Sequence, residues 1–220
     1  SATALACLPP PARAPQLRAP ATFILAGDHG TAAQGAAYLW KWATDEYVHL
    51  LDNKNCHDAQ WAYDAPGDDG AVWMPNFEGY NLQKYNVSSG ATLATVPINY
   101  TSDINHAQLV DGDKTAVVSS RETNSVIKVD IATGEAQWTL GGDLGECDIV
   151  TPQGDTTPAG ESYFSGQHNA EYYGEVVDEW GDTVEEYGMF DNAYEQRKSS
   201  RVLVLRVNAN AKVARVVYEK

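Results

Sequence analysis

Residues Asn105–Gly142 read "NHAQLVDGDKTAVVSSRETNSVIKVDIATGEAQWTLGG". Four short strand-like runs stand out: "HAQLV", "TAVVSS", "SVIKVD" and "EAQWTL". Between them lie "DGD", "RETN" and "IATG", whose Gly, Asp and Asn supply the left-handed backbone that tight turns require. The pattern predicts four antiparallel strands joined by hairpins.

The same unit recurs on both sides. Upstream the runs are "HDAQWAY", "AVWMPNF", "YNLQKYN" and "ATLATV", with "NVSSGA" where the middle copy has "DIATGE". Downstream they are "HNAEYYG", "EEYGMFDN", "RVLVLRVN" and "KVARVVYE", with the first turn swollen into the acidic "EVVDEWGDTV". Counted from histidine to histidine, the spacing is 49 from position 57 to 106 and 62 from 106 to 168. The longer interval holds the Gly/Pro/Asp-rich stretch "DLGECDIVTPQGDTTPAGESYF". Four short strands per unit of about 40–50 residues is the mark of a propeller blade, and no sandwich repeats so regularly.

The expected fold is therefore all-β: a β-propeller of four-stranded antiparallel blades, three to four of them in this chain. Blades are expected at 56–98, 99–142 and 163–220, with a long loop at 143–162. Residues 21–55 read as a partial blade or connecting segment, with strands around "AAYLWKW" and "EYVHLL" preferred to an Ala-rich helix. Residues 1–20 read as a Pro/Ala-rich tail or the remnant of a processed leader; "SATALAC" has the small residues of a signal-peptide end but no apolar region before it. An open ring would leave strands unpaired, so a second chain or a missing segment is expected to complete the propeller.

The formal net charge is −15, which argues against non-specific binding to nucleic acid or anionic lipid. No apolar run approaches the roughly 20 residues of a membrane span. The three cysteines, Cys7, Cys56 and Cys147, suit one disulfide and one spare thiol, with Cys56–Cys147 the expected pair and three reduced thiols the alternative. Sequons at Asn86 and Asn99 suit a glycoprotein that is secreted or otherwise outside the cytoplasm: periplasm, cell surface or secretory lumen.

His57, His106 and His168 each open a copy. Innermost strands line a propeller's channel, so these imidazoles are expected to converge near the axis. The structural alternative is a buried histidine bonded within each blade. His29 and His49 lie outside the pattern and read as structural. Arg121 ends the second strand of the middle copy where the others have Phe77 and Asn192. Its planar fork suits an oxyanion; a salt bridge to Glu122 or another acid is the plain alternative. The turn "FDNAYEQRKSSR" is polar and cationic in an otherwise acidic chain. The acidic stretches "DAPGDDG" and "DEWGDTVEE" lack the ligand spacing of a calcium loop. Cys56-His57 has no second close cysteine for zinc. No metal or cofactor is expected.

Taken together, "INHAQLV…VVSSRETNSVIKVDIATGEAQWTLGG…FSGQHNAEYY…YGMFDNAYEQRKSSRVLVLRVN" resembles the arylsulfotransferase (arylsulfate sulfotransferase, ASST-like) propellers over about residues 56–220. The resemblance implies a six-bladed ring, of which this chain is the C-terminal half. It implies sulfuryl transfer from an aryl sulfate to a phenol, without a nucleotide donor. His168 in "QHNA" falls at the family's nucleophile, although Asn169 stands where the family has Asp. His106 and Arg121 fall where the family holds the sulfuryl oxygens and assists proton transfer. His57, Asn169 and Asn192 are the expected substrate-binding residues. Trp61, Trp73, Tyr172 and Tyr173 are candidates to stack on the aryl ring or to pack between blades. The rival readings are a non-catalytic extracellular scaffold or binding module, and a propeller that binds sugars or polyanions. The enzyme reading requires His106, Arg121 and His168 to meet.

Overall fold

The computed structural model describes residues 22–27, 36–41, 43–52, 57–65, 67, 70–76, 80–98, 101–194 and 199–220. The tail at 1–20, Cys7, His29, Cys56, Phe77, Asn99 and the "EQRK" of the cationic turn lie outside the described residues.

Every described element is a strand. The first sheet holds β1 (Thr22–Gly27), β2 (Ala36–Lys41) and β3 (Glu46–Asp52), in that order. The second holds β4 (Gln60–Trp61), β5 (Ala71–Pro75), β6 (Asn81–Asn86) and β7 (Thr92–Pro97). The third holds β8 (Ile104–Val110), β9 (Thr115–Ser120), β10 (Ser125–Asp130) and β11 (Ala136–Leu140). Next come β12 (Asp148–Val150) and β13 (Thr156–Thr157), then β14 (His168–Val177), β15 (Thr183–Asp191), β16 (Arg201–Asn208) and β17 (Val213–Glu219). The chain is thus an all-β propeller segment built of consecutive antiparallel blades.

The turns behave as their residues dictate. In the middle blade the positive φ values fall on Asp111, Gly112 and Asp113 of "DGD", on Asn124 of "RETN" and on Gly134 of "IATG". Only short polar residues and glycine enter that region at low cost. Gly142, with φ 71°, closes the "TLGG" turn so tightly that a Cβ there would sit 2.2 Å from the Thr123 carbonyl oxygen.

Packing runs from sheet to sheet in chain order. Leu39 of β2 packs with Val72 and Met74 of β5. Ala116, Val118, Ile127 and Val129 turn one face of the middle blade onto Trp73, Leu82 and Val96. Val117, Val126 and Trp138 turn the other onto Tyr187, Leu203 and Leu205. With both faces covered, all six residues of β9 are buried, which is why "TAVVSS" does not alternate. Each large side chain so buried contributes roughly 1.5–3 kcal/mol.

The last sheet has six strands in the order β13-β12-β17-β16-β15-β14. The stretch 143–162, expected as a loop, supplies β12 and β13; Ile149 lies beside Ala214 in a parallel pair with β17. The edge of β17 is therefore covered, which suppresses edge-to-edge association. Cys147 lies just ahead of β12, buried, with a free thiol. The structure thereby departs from the expected Cys56–Cys147 bridge, whose other half is outside the described residues. Among the described residues no helix is long and apolar enough to cross a membrane.

Candidate functional site

The inter-blade hydrogen bonds set the register of the repeat. Gln60 Oε1 accepts from Leu109 N of the next blade at 3.1 Å, and Gln108 Oε1 accepts from Tyr172 N of the following one at 2.6 Å. Gln60 and Gln108 are therefore equivalent, and counting back aligns His57-Asp58-Ala59-Gln60 with Asn105-His106-Ala107-Gln108 and His168-Asn169-Ala170-Glu171. His57 and His168 share a position; the middle blade has Asn105 there. His106 corresponds instead to Asp58 and Asn169.

One residue along a strand is the difference between its two faces. His106 accordingly lies between blades, 5% exposed. Its Nδ1 is 3.1 Å from Asp58 Oδ2 and its Nε2 is 3.1 Å from Glu171 Oε1. The Glu171 contact is an ion pair off the N–H direction, not a straight hydrogen bond. Burial depresses the imidazole, but Asp58 and Glu171 more than offset it and raise the pKa to about 9. The structure does not bring His106 to Arg121 and His168, and that expectation is corrected: His106 is a buried cation joining three blades.

Four of the remaining candidates, His57, Arg121, His168 and Asn192, lie near one another at the end of the blades where β8 and β14 begin and β9 and β15 finish. Gln167, fully buried, donates its amide to Ser120 O at 2.9 Å and Ser125 O at 2.8 Å. That fixes the start of β14 beside the β9–β10 turn that carries Arg121. Gly166, φ 59°, makes the approach possible; a Cβ would sit 2.7 Å from the Tyr194 ring. His168 Nδ1 lies 3.2 Å from Gly166 O and 2.7 Å from Asn192 Nδ2, and Asn192 Nδ2 donates to the same carbonyl at 2.7 Å. Two proton arrangements follow. Either the Asn192 amide donates into a bare Nδ1, or Nδ1–H donates to Gly166 O and leaves the Nε2 lone pair open.

Desolvation lowers the His168 pKa, against the pull of the Gly166 carbonyl; the Arg121 and His57 charges lower it further, while Asp103 raises it. His168 is thus a half-buried imidazole that is neutral at neutral pH, within electrostatic reach of Arg121, His57 and Asp103.

Asp103 was not a sequence candidate. It sits just before β8 with φ 56°, a conformation Asp tolerates better than most residues. Its carbonyl accepts from Arg121 N at 3.1 Å, Arg121 Nη2 is 2.5 Å from its Oδ2, and His57 Nδ1 is 3.9 Å from its Oδ1. Arg121 therefore pairs with an acid other than Glu122. The recurrent Ala-Gln at 59–60 and 107–108 was the available signal: it sets the register and moves attention from His106 to the residues just ahead of it.

Asn169 is exposed in the bulge of β14 with φ 52°. Of the aromatics expected at the ring, Trp73 is buried, Trp61 and Tyr172 pack against core clusters, and Tyr173 lies over Gly188. Tyr194, 69% exposed, is the aromatic that lies against Gly166 at the site. Asn86 ends β6, and its side-chain oxygen accepts from Ser88 Oγ and Ser89 N, both at 2.9 Å. Arg201 of "SSR" is structural. It is buried, donates to Asp191 Oδ2 at 2.9 Å, Glu219 Oε1 at 2.6 Å and Tyr163 O at 2.6 Å, and so anchors the end of β15 behind Asn192.

A cleft of about 720 Å³ opens on the same side, between Thr123–Ser125, Gly141–Leu144 and Gly160–Ser162. Its lining includes the carboxylates Glu122, Asp143 and Glu161 and neither Arg121 nor His168, so it is separate from the imidazole cluster. Among the described residues no group of three or more His, Cys, Asp or Glu side chains is placed to hold a metal ion.

The family model described as arylsulfotransferase (ASST) matches residues 102–219, just over half of the chain. No curated protein matches the sequence. Among solved structures, the chain is similar to the WD40 β-propeller domain of Doa1, at 12% identity and a TM-score of 0.40, covering 81% of this chain and 58% of that one. It is also similar to a putative 6-phosphogluconolactonase from Bacteroides fragilis, at 11% identity and a TM-score of 0.37, covering 90% and 67%. Hydrazine synthase of Kuenenia stuttgartiensis gives 16% identity and a TM-score of 0.32, covering 70% and 47%.

Proposed function

This chain belongs to the arylsulfotransferase (ASST) family, and from that premise we propose that it transfers a sulfuryl group from an aryl sulfate to a phenol through His168. The observation that carries the reading is a neutral, half-buried imidazole with Nδ1 3.2 Å from the Gly166 carbonyl oxygen and within electrostatic reach of Arg121. In the tautomer with Nδ1–H on Gly166 O, the Nε2 lone pair attacks sulfur in line, the N–S bond forms and the S–O bond to the aryl oxygen breaks. The acceptor oxygen then attacks the same sulfur and His168 is released. Charge spreads over the equatorial sulfuryl oxygens during both steps, as in phosphoryl transfer. The guanidinium has five N–H donors. Asp103 engages Nη2, and the other donors can meet those oxygens. Tyr194 offers its exposed ring to the aryl group.

Two observations favour a non-catalytic propeller instead: His106 is closed off between Asp58 and Glu171 and does not join Arg121 and His168, and the Asp103 carboxylate already stands against Arg121 where a sulfuryl oxygen would bind. Incubation with a nitrophenyl sulfate and a phenol acceptor separates the two. The transferase releases nitrophenol and forms the acceptor's sulfate ester, and His168→Ala lowers the rate at least about 10³-fold. Absence of release from the wild-type protein leaves the binding reading; a fully active His168→Ala variant removes the nucleophile assignment.

A further inference from the structure

We propose that Asn86 is a modification site: its side-chain amide carries an N-linked oligosaccharide, attached through N-acetylglucosamine as the chain enters a eukaryotic secretory lumen. Asn86-Val87-Ser88 and Asn99-Tyr100-Thr101 are the two Asn-x-Ser/Thr sequons of the chain. Asn86 lies among the described residues and Asn99 does not.

Asn86 ends β6 and opens the turn into β7, and Asp130 does the same between β10 and β11. The two turns match bond for bond. Asn86 N donates to Ala91 O at 2.8 Å and Gly90 N to Asn86 O at 2.9 Å; Asp130 N donates to Glu135 O at 2.9 Å and Gly134 N to Asp130 O at 2.8 Å. Each side chain then sets one oxygen against the turn. Asn86 Oδ1 accepts from Ser88 Oγ at 2.9 Å, Ser89 N at 2.9 Å and Ser89 Oγ at 2.7 Å. Asp130 Oδ1 accepts from Ala132 N at 2.9 Å, Thr133 N at 3.0 Å and Thr133 Oγ1 at 3.1 Å. The last blade repeats the device after β16, where Asn208 Oδ1 accepts from Ala211 N at 3.0 Å. The turn therefore requires an acceptor, and a carboxylate serves it as well as an amide. What Asn86 adds is a nitrogen. Asn208 gives its own to Asp182 Oδ2 at 3.4 Å, whereas Asn86 Nδ2 has no hydrogen-bond partner among the described residues.

The surroundings leave room for a substituent. Ser88, Ser89, Ala91 and Thr92 are exposed, while Val87 is buried with Val72 and Met74 and pins the turn to the core. A group on Nδ2 leaves every bond of the turn in place. β10 starts beside the turn that carries Arg121 and ends at Asp130, so turns of this kind stand at the opposite end of the blade from the His168 cluster. β7 is the edge of its sheet and Leu93 is exposed on it. A hydrophilic chain at the start of that strand covers an edge otherwise open to association.

The transfer balances. Asn86 Nδ2 attacks the anomeric carbon of an oligosaccharide carried on a lipid pyrophosphate. The C–N bond forms, the C–O bond to the phosphate breaks, and Nδ2 gives up one of its two protons as the lipid pyrophosphate leaves. Nothing is oxidised or reduced.

The test expresses the chain behind a cleavable secretion leader in a eukaryotic host, with and without Asn99→Gln. Peptide N-glycosidase is expected to remove the mass of one oligosaccharide from the secreted Asn99→Gln protein and to leave Asp at position 86 of its tryptic peptide. In the chain without Asn99→Gln, fragmentation of that peptide separates label at 86 from label at 99. Asn86→Asp keeps the acceptor oxygen, as Asp130 does, and Ser88→Ala removes one of three donors to it. Both are expected to be secreted folded, with complete loss of the mass change at this site. No label at 86 in the secreted protein overturns the assignment. So does a mass change that survives Asn86→Asp in the Asn99→Gln background, or an oligosaccharide found only on retained, protease-sensitive protein.

Discussion

Replacing His106 by glutamine removes a buried cation from between Asp58 and Glu171, and its effect on stability should depend on pH in one direction. The imidazole is raised from 6.5 to about 9 in the folded chain. At about 1.4 kcal/mol per pH unit, that difference is worth about 3 kcal/mol of stability. The group is 5% exposed, so little is lost to solvent screening, although its two carboxylate partners are less buried. A histidine raised on folding stabilises fully below its unfolded value of 6.5, and the contribution falls away as pH climbs through about 9. For a chain of this size 1 kcal/mol moves the melting temperature by about 2–4 °C, so the whole effect is roughly 6–12 °C. Thermal melts of wild type and His106→Gln at intervals from pH 6 to pH 9.5 read it directly. The gap between the proteins should be widest at the acid end and close towards the alkaline end. A gap that stays constant across this range would refute the account of His106 as a charged clamp.

Two other outcomes follow from buried groups. Arg201→Met removes the guanidinium that bridges the fully buried Asp191, Glu219 and the Tyr163 carbonyl, leaving the Asp191 charge held by the Ser165 and Ala193 amides, and breaking such a pair costs about 3–5 kcal/mol; a denaturant-measured loss below about 1 kcal/mol would show that Arg201 is not the anchor of β15 and β16. Burial, with Glu146 close by, pushes the Cys147 thiol up to about 11, so alkylation at pH 8 should run about 10² times slower than for an ordinary thiol and reach the ordinary rate only on unfolding. Mass analysis of the tryptic peptide checks it, and rapid labelling of the native protein would contradict the buried position.

Much of the fold could be read along the chain because strands and turns are local. "TAVVSS" and "SVIKVD" coincide with β9 and β10 residue for residue. The separators carry the positive φ values that their Asp, Asn and Gly predict. The strand at 148–150 was not legible, because nothing in "DIV" distinguishes a loop from a segment that finds a partner at β17, more than sixty residues on. The cluster is legible in part: His168, Arg121, His57 and Asn192, singled out in the sequence, lie near one another. His106 was a candidate and lies elsewhere, while Asp103 was overlooked and lies at the centre of the group.

That division has one cause. Alternation, turn chemistry and period are properties of neighbouring residues, so the amino-acid order alone determined the all-β class, the four-strand repeat of the middle copy, its turns and the residue types near the strand starts. Which side chain of "SDINHAQ" reaches the hub depends on pairing across blades. The bulge between Ile104 and His106 and the one between His168 and Glu171 shift the strands against their partners. A shift of one residue exchanges inside for outside, and only the assembled sheets, through Gln60, Gln108 and Gln167, decide where it falls.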